Sequence, residues 1–193
     1  MTPGTRRRGA ELEAAIYDAA LRLVAAHGYR ELTMEGVAAA ARTGKAALYR
    51  RWPSKAELVG DALLHALPDP PAPTAGGDLR AGLLELLTCY RDTMAACRGA
   101  TFQILKDEES GLVHDIVHDR LIKPIKEGMY RVLREGAERG TVRPGADTGQ
   151  MGDIGPAAVN YRMLTAGHLM SDEELRYLVD EVLLPAVSPR PSA

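Results

Sequence analysis

Residues 33–58, TMEGVAAAARTGKAALYRRWPSKAEL, decide the fold. Thr33 is suited to cap a short helix over 34–41, because its hydroxyl can accept a hydrogen bond from a free amide of the first turn. Three residues interrupt that helix. A third short helix is then predicted over 45–51, and Pro53 stops it. The stretch therefore predicts two short helices joined by a tight turn.

A longer helix precedes this stretch and another follows it. Apolar residues recur at helical spacing up to Val24, and Gly28 is expected to end that first helix as a left-handed cap. Ser54, with a glutamate three residues later, forms a capping-box pattern at the start of a fourth helix over 54–67. We therefore expect a three-helix head over 9–55, connected to the rest of the chain by the fourth helix.

The remainder of the chain is also predicted to be helical. Four prolines and two glycines at 68–77 exclude a helix there, so this loop is the expected boundary of a larger helical domain over 78–187. Further helices are predicted over 78–97, 102–109, 113–139, 147–166 and 171–185. With no convincing strand, the expected fold class is all-α, with about nine helices.

Individual residues set the expected limits of the later helices. Asp147, with a glutamine three residues on, is expected to open one helix, and Ser171 starts another through a capping box. Pro124 is expected to kink its helix or to start a new one, and Pro185 to end the last helix. The polar tail, 188–193, is expected to be disordered.

Composition excludes several classes of protein. Hydrophobic residues make up 46% of the chain and aromatic residues only 5%, which favours helices over a β-sandwich. No run of 18 apolar residues occurs, so no membrane-spanning helix is expected, and the basic start lacks the apolar core of a signal peptide. Cys89 and Cys97 would lie about 12 Å apart along one helix, too far for a disulfide. We expect a cytoplasmic protein.

Charge is distributed unevenly along the chain. The net charge is −2, which by itself indicates no nucleic-acid partner. Residues 1–55, however, carry ten Lys and Arg against five Asp and Glu, whereas residues 56–193 carry fourteen against twenty-one. This pattern fits a polyanion-binding head on an acidic body, although a solvated basic segment would give the same count.

The predicted head has the arrangement and the chemistry of a helix-turn-helix that binds DNA. Small residues on the third helix would let it enter the major groove, and Lys45 can reach a phosphate or a guanine edge. The hydroxyls of Thr33 and Tyr49 suit phosphate oxygens, and the basic residues would displace counterions. Trp52 fits a core position and a DNA contact equally well. The candidate DNA-binding residues are Thr33, Arg42, Thr43, Gly44, Lys45, Ala46, Tyr49, Arg50, Trp52 and Lys55.

The run LYRRWPSK at 48–55 closely resembles the TetR family of transcriptional regulators, and it is far more distinctive than a generic helix-turn-helix. The His27-Gly28-Tyr29 segment before Thr33 matches that family's spacing, and the resemblance covers roughly residues 9–64. It departs from the family at Arg42, where glycine is usual, and at Gly44, where Ser or Thr often caps the helix. A positive φ would strain Arg42, and the cap would pass to Thr43 or be missing.

The resemblance implies a homodimer that binds a pseudo-palindromic operator and is released by an unknown small-molecule effector. It implies that two helices, here 147–166 and 171–185, pair with those of a second copy. Glycines at 149, 152 and 155 would allow that close approach. The implied ligand pocket lies in the C-terminal domain. Its candidate residues are Tyr90, Met94, Phe102, His118, Met129, Arg162 and Met163.

Other functions receive less support from the residues. His114 and His118 lie four apart on one helical face, a metal-binding spacing, but no third ligand can be assigned. An enzyme on a helical bundle is the rival class, yet the chain has no Gly-rich phosphate loop, nucleophile elbow or paired-carboxylate motif. We therefore expect no catalytic residue, cofactor or bound metal. A TetR-like activator remains an alternative to a repressor.

Overall fold

The computed structural model describes residues 9–67, 78–106 and 111–189. These residues form helices and no strand, which confirms the predicted all-α class. The helices are α1 (Ala10–His27), α2 (Met34–Ala40), α3 (Lys45–Tyr49), α4 (Lys55–Ala66), α5 (Leu79–Ala96), α6 (Ala100–Leu105), α7 (Leu112–Val117), α8 (Lys123–Glu138), α9 (Gly149–Ala166), α10 (Asp172–Tyr177) and α11 (Leu184–Val187). Two pairs of these eleven α-helical segments, α7 with α8 and α10 with α11, are continuous, so the described residues contain nine separate helices. The loop expected at 68–77, the end of the helix expected over 102–109 and the tail beyond 189 lie outside the described residues.

The first compact unit contains α1 to α4 together with α6 and α7. Helix α1 packs against α2, α4 and α6, and α7 packs against α4 and α6. The buried face of α1 is the apolar stripe that the sequence predicts, and Ile16, Ala20 and Val24 on that face are almost fully buried. Gly60 on α4 lets Ile116 approach, because an added Cβ would lie only 3.1 Å from its side chain. This unit thus includes two short helices that the sequence assigned to the second domain.

The second compact unit contains α5 and α8 to α11. Glycines bring its helices close together: a Cβ on Gly128 of α8 would lie 2.7 Å from Leu86, and one on Gly155 of α9 would lie 2.8 Å from Leu87. Gly152 lies against Met129 on α8. The small residues at 152 and 155 were expected to serve contact with a second copy. They instead seat α9 on α5 and α8 within the same chain.

Two π-helical segments, His118–Ile122 and Leu178–Leu183, join α7 to α8 and α10 to α11. Each precedes a helix that has proline at its second position, Pro124 in α8 and Pro185 in α11. Proline has no amide proton to donate, and the wider π turn changes the hydrogen-bond register just before it. The prediction that Pro185 ends the last helix was wrong, because α11 includes Pro185 and continues to Val187.

Side chains cap several helices as predicted. Ser171 accepts from the Glu174 amide, and Glu174 returns a bond to the Ser171 amide, which completes the capping box. Ser54 accepts from the Glu57 amide at 3.2 Å. Helix α9, however, is capped by Thr148 rather than by Asp147, because it begins two residues later than expected. Gly28 ends α1 as expected, and its φ of 85° is positive, but its ψ of 163° lies outside the left-handed helical region, so it is not the left-handed cap that the sequence predicts.

Candidate nucleic-acid interface

The N-terminus of α2 confirms the cap at Thr33. Its Oγ1 accepts from the Gly36 amide at 3.1 Å, and a Cβ on residue 36 would lie 3.1 Å from that oxygen. Glycine at this position therefore leaves room for the hydroxyl. Because the oxygen accepts from the backbone and the side chain is exposed, the hydroxyl proton can still be donated outward.

The turn between α2 and α3 is closed by a Schellman motif centred on Arg42. The Arg42 amide donates to the Ala39 carbonyl at 3.1 Å, and the Thr43 amide donates to the Ala38 carbonyl at 2.9 Å. This motif requires a left-handed residue, and the φ of Arg42 is 55°. Arginine thus carries backbone strain that glycine would avoid, and its charged side chain is exposed.

Helix α3 begins without a side-chain cap. Gly44 is its N-cap residue, and the hydroxyl of Thr43 does not take over that role. The helix is only five residues long, shorter than the expected 45–51. Leu48 holds it in place, because this side chain is fully buried against the rest of the first unit.

The outward side of α3, with its two cap residues, carries half of the ten candidate DNA-binding residues. The Lys45 side chain is 65% exposed and Tyr49 is 44% exposed. Gly44, Ala46 and Arg50 are exposed as well. A short helix with small residues at its start and cations and a hydroxyl along its open side has the shape and the donors that a major groove accepts.

Trp52 belongs to the core rather than to this outward side, which corrects its place in the DNA-binding set. It is only 4% exposed, and its Nε1 donates to Asp61 Oδ2 on α4 at 2.9 Å. The rings of Tyr17 and Trp52 form a T-shaped contact, with centroids 5.6 Å apart and an interplanar angle of 66°. Burial, followed by the Glu13 carboxylate, raises the pKa of Tyr17 to about 12, so this aromatic cluster is neutral at physiological pH.

Lys55 is occupied within the first unit. Its Nζ donates to the carbonyls of Tyr29 and Arg30, each at 3.0 Å, and lies 4.7 Å from the centre of the Tyr29 ring. These contacts tie the start of α4 to the loop that follows α1. The main role of Lys55 is therefore structural. A DNA phosphate could bind its ammonium group only alongside the two carbonyls that already accept from it.

Arg51 is also engaged within the unit. Its Nη1 donates to Glu13 Oε2 at 2.7 Å, which connects the residues after α3 to α1. Arg51 and Lys55 thus make contacts within the first unit. Arg50, the other basic residue of the segment 50–55, has an exposed side chain next to α3.

Glu35, in the first turn of α2, was not among the residues predicted from the sequence. Its Oε1 accepts from the Tyr49 hydroxyl at 3.3 Å and lies 3.7 Å from Lys45 Nζ. Its own backbone amide, then Lys45 and Tyr49, lower the pKa of Glu35, so the carboxylate is ionised at neutral pH. The sequence offered one indication of this contact, namely that Glu35 is an acidic residue in the helix just before the one that begins with Lys45.

The residues proposed for the ligand pocket do not form one group. Tyr90, Met94 and Met129 are buried in the second unit. The Tyr90 hydroxyl donates to Asn160 Oδ1 on α9 at 3.0 Å, a polar pair that the sequence did not reveal. Met163, on α9, is half-buried.

Three other pocket candidates have different surroundings. Arg162 forms an ion pair with Glu174, so its guanidinium joins α9 to α10. Phe102 lies in the first unit, with Lys106 Nζ 5.2 Å from its ring centre. His118 is exposed and stacks on His114 with centroids 6.4 Å apart, which argues against a place in an enclosed pocket.

Two observations bear on the alternatives, a metal site and a membrane-spanning segment. Within 9–67, 78–106 and 111–189, no group of three His, Cys, Asp or Glu side chains is placed to hold a metal ion. Across the same residues, no helix has both the length and the hydropathy needed to cross a membrane.

Comparison with known proteins gives the family. The family model described as bacterial regulatory proteins of the tetR family matches residues 16–62, and a tetracyclin repressor-like C-terminal domain matches residues 73–182. An uncharacterised HTH-type transcriptional regulator of Mycobacterium tuberculosis is 31% identical over 87% of this chain and 84% of its own length. A DNA-binding transcriptional repressor TetR of Mycobacteroides abscessus is 29% identical over 94% of this chain and 97% of its own.

Solved structures agree with that assignment. A TetR family transcription regulator with 27% identity aligns over 93% of this chain and 100% of its own, with a TM-score of 0.55. A TetR family regulator from Thermus thermophilus, 21% identical, shares the fold with a TM-score of 0.69 over 88% of this chain and 97% of its own. The helix-turn-helix geometry, both family models and these relatives lead to one conclusion: the chain belongs to the TetR family of bacterial transcriptional regulators.

Proposed function

We propose that this regulator represses transcription by binding a pseudo-palindromic operator as a homodimer, and that a small-molecule effector releases it. The observation that carries the proposal is the outward side of α3, where Lys45 and Tyr49 are exposed above the buried Leu48. A relative of similar length is named a DNA-binding transcriptional repressor, which supports the direction of control.

The DNA contacts fall into two classes. Thr33 and Tyr49 offer hydroxyls to phosphate oxygens, and Arg42 and Arg50 offer exposed charge to the backbone. Lys45, at the start of α3, is the residue placed to reach a base edge. Phosphate contacts fix the position of the head on the duplex, whereas contacts to base edges select the sequence.

The second copy is expected to bind at an apolar stripe on α9, formed by Ile154, Ala157, Tyr161 and Leu164. These residues recur three or four positions apart and are all exposed, with Tyr161 at 67% and Leu164 at 55%. Tyr177 and Val182, in the helical run that follows, are exposed too. An apolar face of this length on a regulator of palindromic DNA suits a symmetric partner of the same sequence.

The effector is expected to bind in the second unit. Tyr90, Met94, Met129 and Met163 supply apolar surface, and the part-buried Tyr90–Asn160 pair supplies polar groups. Burial raises the pKa of Tyr90, so its hydroxyl is a neutral donor. An effector releases DNA only if it binds the state with low DNA affinity more tightly than the state that holds the operator.

A gel-shift titration with the intergenic DNA upstream of the gene tests the proposal. We expect salt-sensitive, sequence-selective binding that Lys45→Ala or Tyr49→Phe weakens about 3- to 30-fold. Arg22→Ala is the matched control, because Arg22 is an exposed cation of the same unit but lies on α1, away from α3 in the sequence. Binding that all three variants leave unchanged would contradict the contact assignment. An absence of DNA binding at every salt concentration would refute the function.

A further inference from the structure

The α2–α3 surface, defined by Glu35, Lys45 and Tyr49, places a carboxylate among groups proposed to contact DNA. One oxygen, Glu35 Oε1, accepts from the Tyr49 hydroxyl at 3.3 Å and faces the Lys45 ammonium at 3.7 Å. Both Lys45 and Glu35 are well exposed. The three residues come from two helices that the Arg42 turn connects, so the contact spans the whole helix-turn-helix.

Glu35 differs from Asp61 of the same unit. Asp61 accepts from the buried Trp52 indole, so it links α4 to the core of the head. The partners of Glu35 are two exposed side chains, as is the Arg51 partner of Glu13, but they lie on the outward side of α3. Exposed ion pairs add little to folding stability, so stability does not explain this arrangement.

An ionised carboxylate on a surface that meets DNA acts against binding. It repels phosphates, and it occupies the same ammonium and hydroxyl protons that a phosphate would take. The depressed pKa of Glu35 and the raised pKa of Tyr49, the latter caused by desolvation and then by Glu35, agree with a carboxylate that stays charged beside a protonated phenol.

We propose that Glu35 sets the sequence discrimination of the head by holding Lys45 and Tyr49 away from phosphates until an operator base replaces it. The inference rests on the proposed function. Unrelated DNA places no base-edge acceptor opposite Lys45 in the binding register, so it offers these two groups only phosphates, and Glu35 competes with those phosphates for the donors of Lys45 and Tyr49. An operator offers Lys45 an additional base-edge acceptor, such as guanine O6 or N7, so the exchange becomes favourable there. Discrimination then comes from an element that opposes the wrong partner.

The test uses the full-length protein and two duplexes. One duplex is selected by the wild type from a random pool, and the other is a shuffled sequence of the same composition. Fluorescence anisotropy over a range of salt concentrations gives Kd for the wild type and for Glu35→Gln. Glu31→Gln is the matched control, because it removes an exposed charge from the segment just before α2.

We expect Glu35→Gln to tighten binding to the shuffled duplex about 5- to 10-fold and binding to the selected duplex about threefold or less. The log–log salt slope on the shuffled duplex should steepen by about one, the equivalent of one more phosphate contact. Glu31→Gln should change both affinities equally and slightly. In a Lys45→Ala background, most of the Glu35→Gln effect should disappear, because Glu35 acts through Lys45.

Two results would overturn the inference. If Glu35→Gln and Glu31→Gln tightened both duplexes to the same extent, Glu35 would contribute only net charge. If Glu35→Gln weakened the selected duplex and left the shuffled one unchanged, Glu35 would itself accept from a base, as carboxylates do from cytosine N4. A wild-type protein that selects no duplex at all would instead contradict the proposed function.

Discussion

The α2–α3 surface and the apolar stripe of α9 differ in what a partner must displace in order to bind. On the first, the polar groups of Glu35, Lys45 and Tyr49 are already joined to one another. On the second, Tyr161 and Leu164 expose apolar surface. DNA must therefore displace internal contacts, whereas a second copy only has to remove water. Selectivity is therefore expected from the α2–α3 surface, and most of the association energy from the apolar stripe.

The largest expected effect comes from breaking the stripe. Leu164→Glu places a charge where a second copy would bury an apolar side chain, so we expect a monomer of about 20.8 kDa in sedimentation. Operator affinity should fall roughly 100-fold or more, because the second half-site contact is no longer intramolecular.

Tyr130→Glu is the matched control for this variant, because Tyr130 is an exposed aromatic on α8, outside the stripe. It should leave the sedimentation mass and the operator affinity unchanged. If Leu164→Glu stayed dimeric, the interface would lie elsewhere on the protein.

A smaller effect separates the core of the head from its outward surface. Trp52→Phe removes the indole that donates to Asp61, and we expect it to lower the free energy of unfolding by about 2 kcal/mol. Tyr49→Phe should change it by less than about 0.5 kcal/mol while weakening operator binding. Urea unfolding monitored by circular dichroism measures both variants. Equal stability of the two would return Trp52 to the DNA-facing set.

The smallest expected effect concerns the strained turn. Arg42→Gly should stabilise the protein by about 1 kcal/mol in urea unfolding, because glycine adopts the φ of 55° without a Cβ clash. Arg42→Ala keeps the clash and removes the same charge, so it should not stabilise. Both variants should reduce the salt slope of operator binding by about one if Arg42 contacts a phosphate. An unchanged slope would leave Arg42 with a purely local role.

Much of the head was predictable because its signals are local. Thr33 caps α2 through its own hydroxyl, and the strain foreseen for Arg42 follows from the backbone of a single turn. The sequence left Trp52 open between a core position and a DNA contact, since the Asp61 side chain that accepts from the indole lies on another helix. Glu35 was missed for the same reason, because its partners lie ten and fourteen positions away across the turn.

The second unit shows where a pattern indicates the wrong partner. Glycines at 152 and 155 signal a close approach, but a sequence does not say to which helix. The structure places Met129 and Leu87 there. The exposed stripe occupies other positions of α9, and its spacing of three or four residues would suit a face buried within the chain equally well.

Binding of a pseudo-palindromic operator by a dimer is tested by the spacing of half-sites in DNA that the wild type selects. A random pool carried through several rounds of binding and sequenced should yield an inverted repeat whose half-sites are centred about 10 base pairs, or a multiple of that, apart. Sedimentation of the protein bound to that duplex should give an even number of chains. Selection of an unrepeated site occupied by one chain would contradict the account.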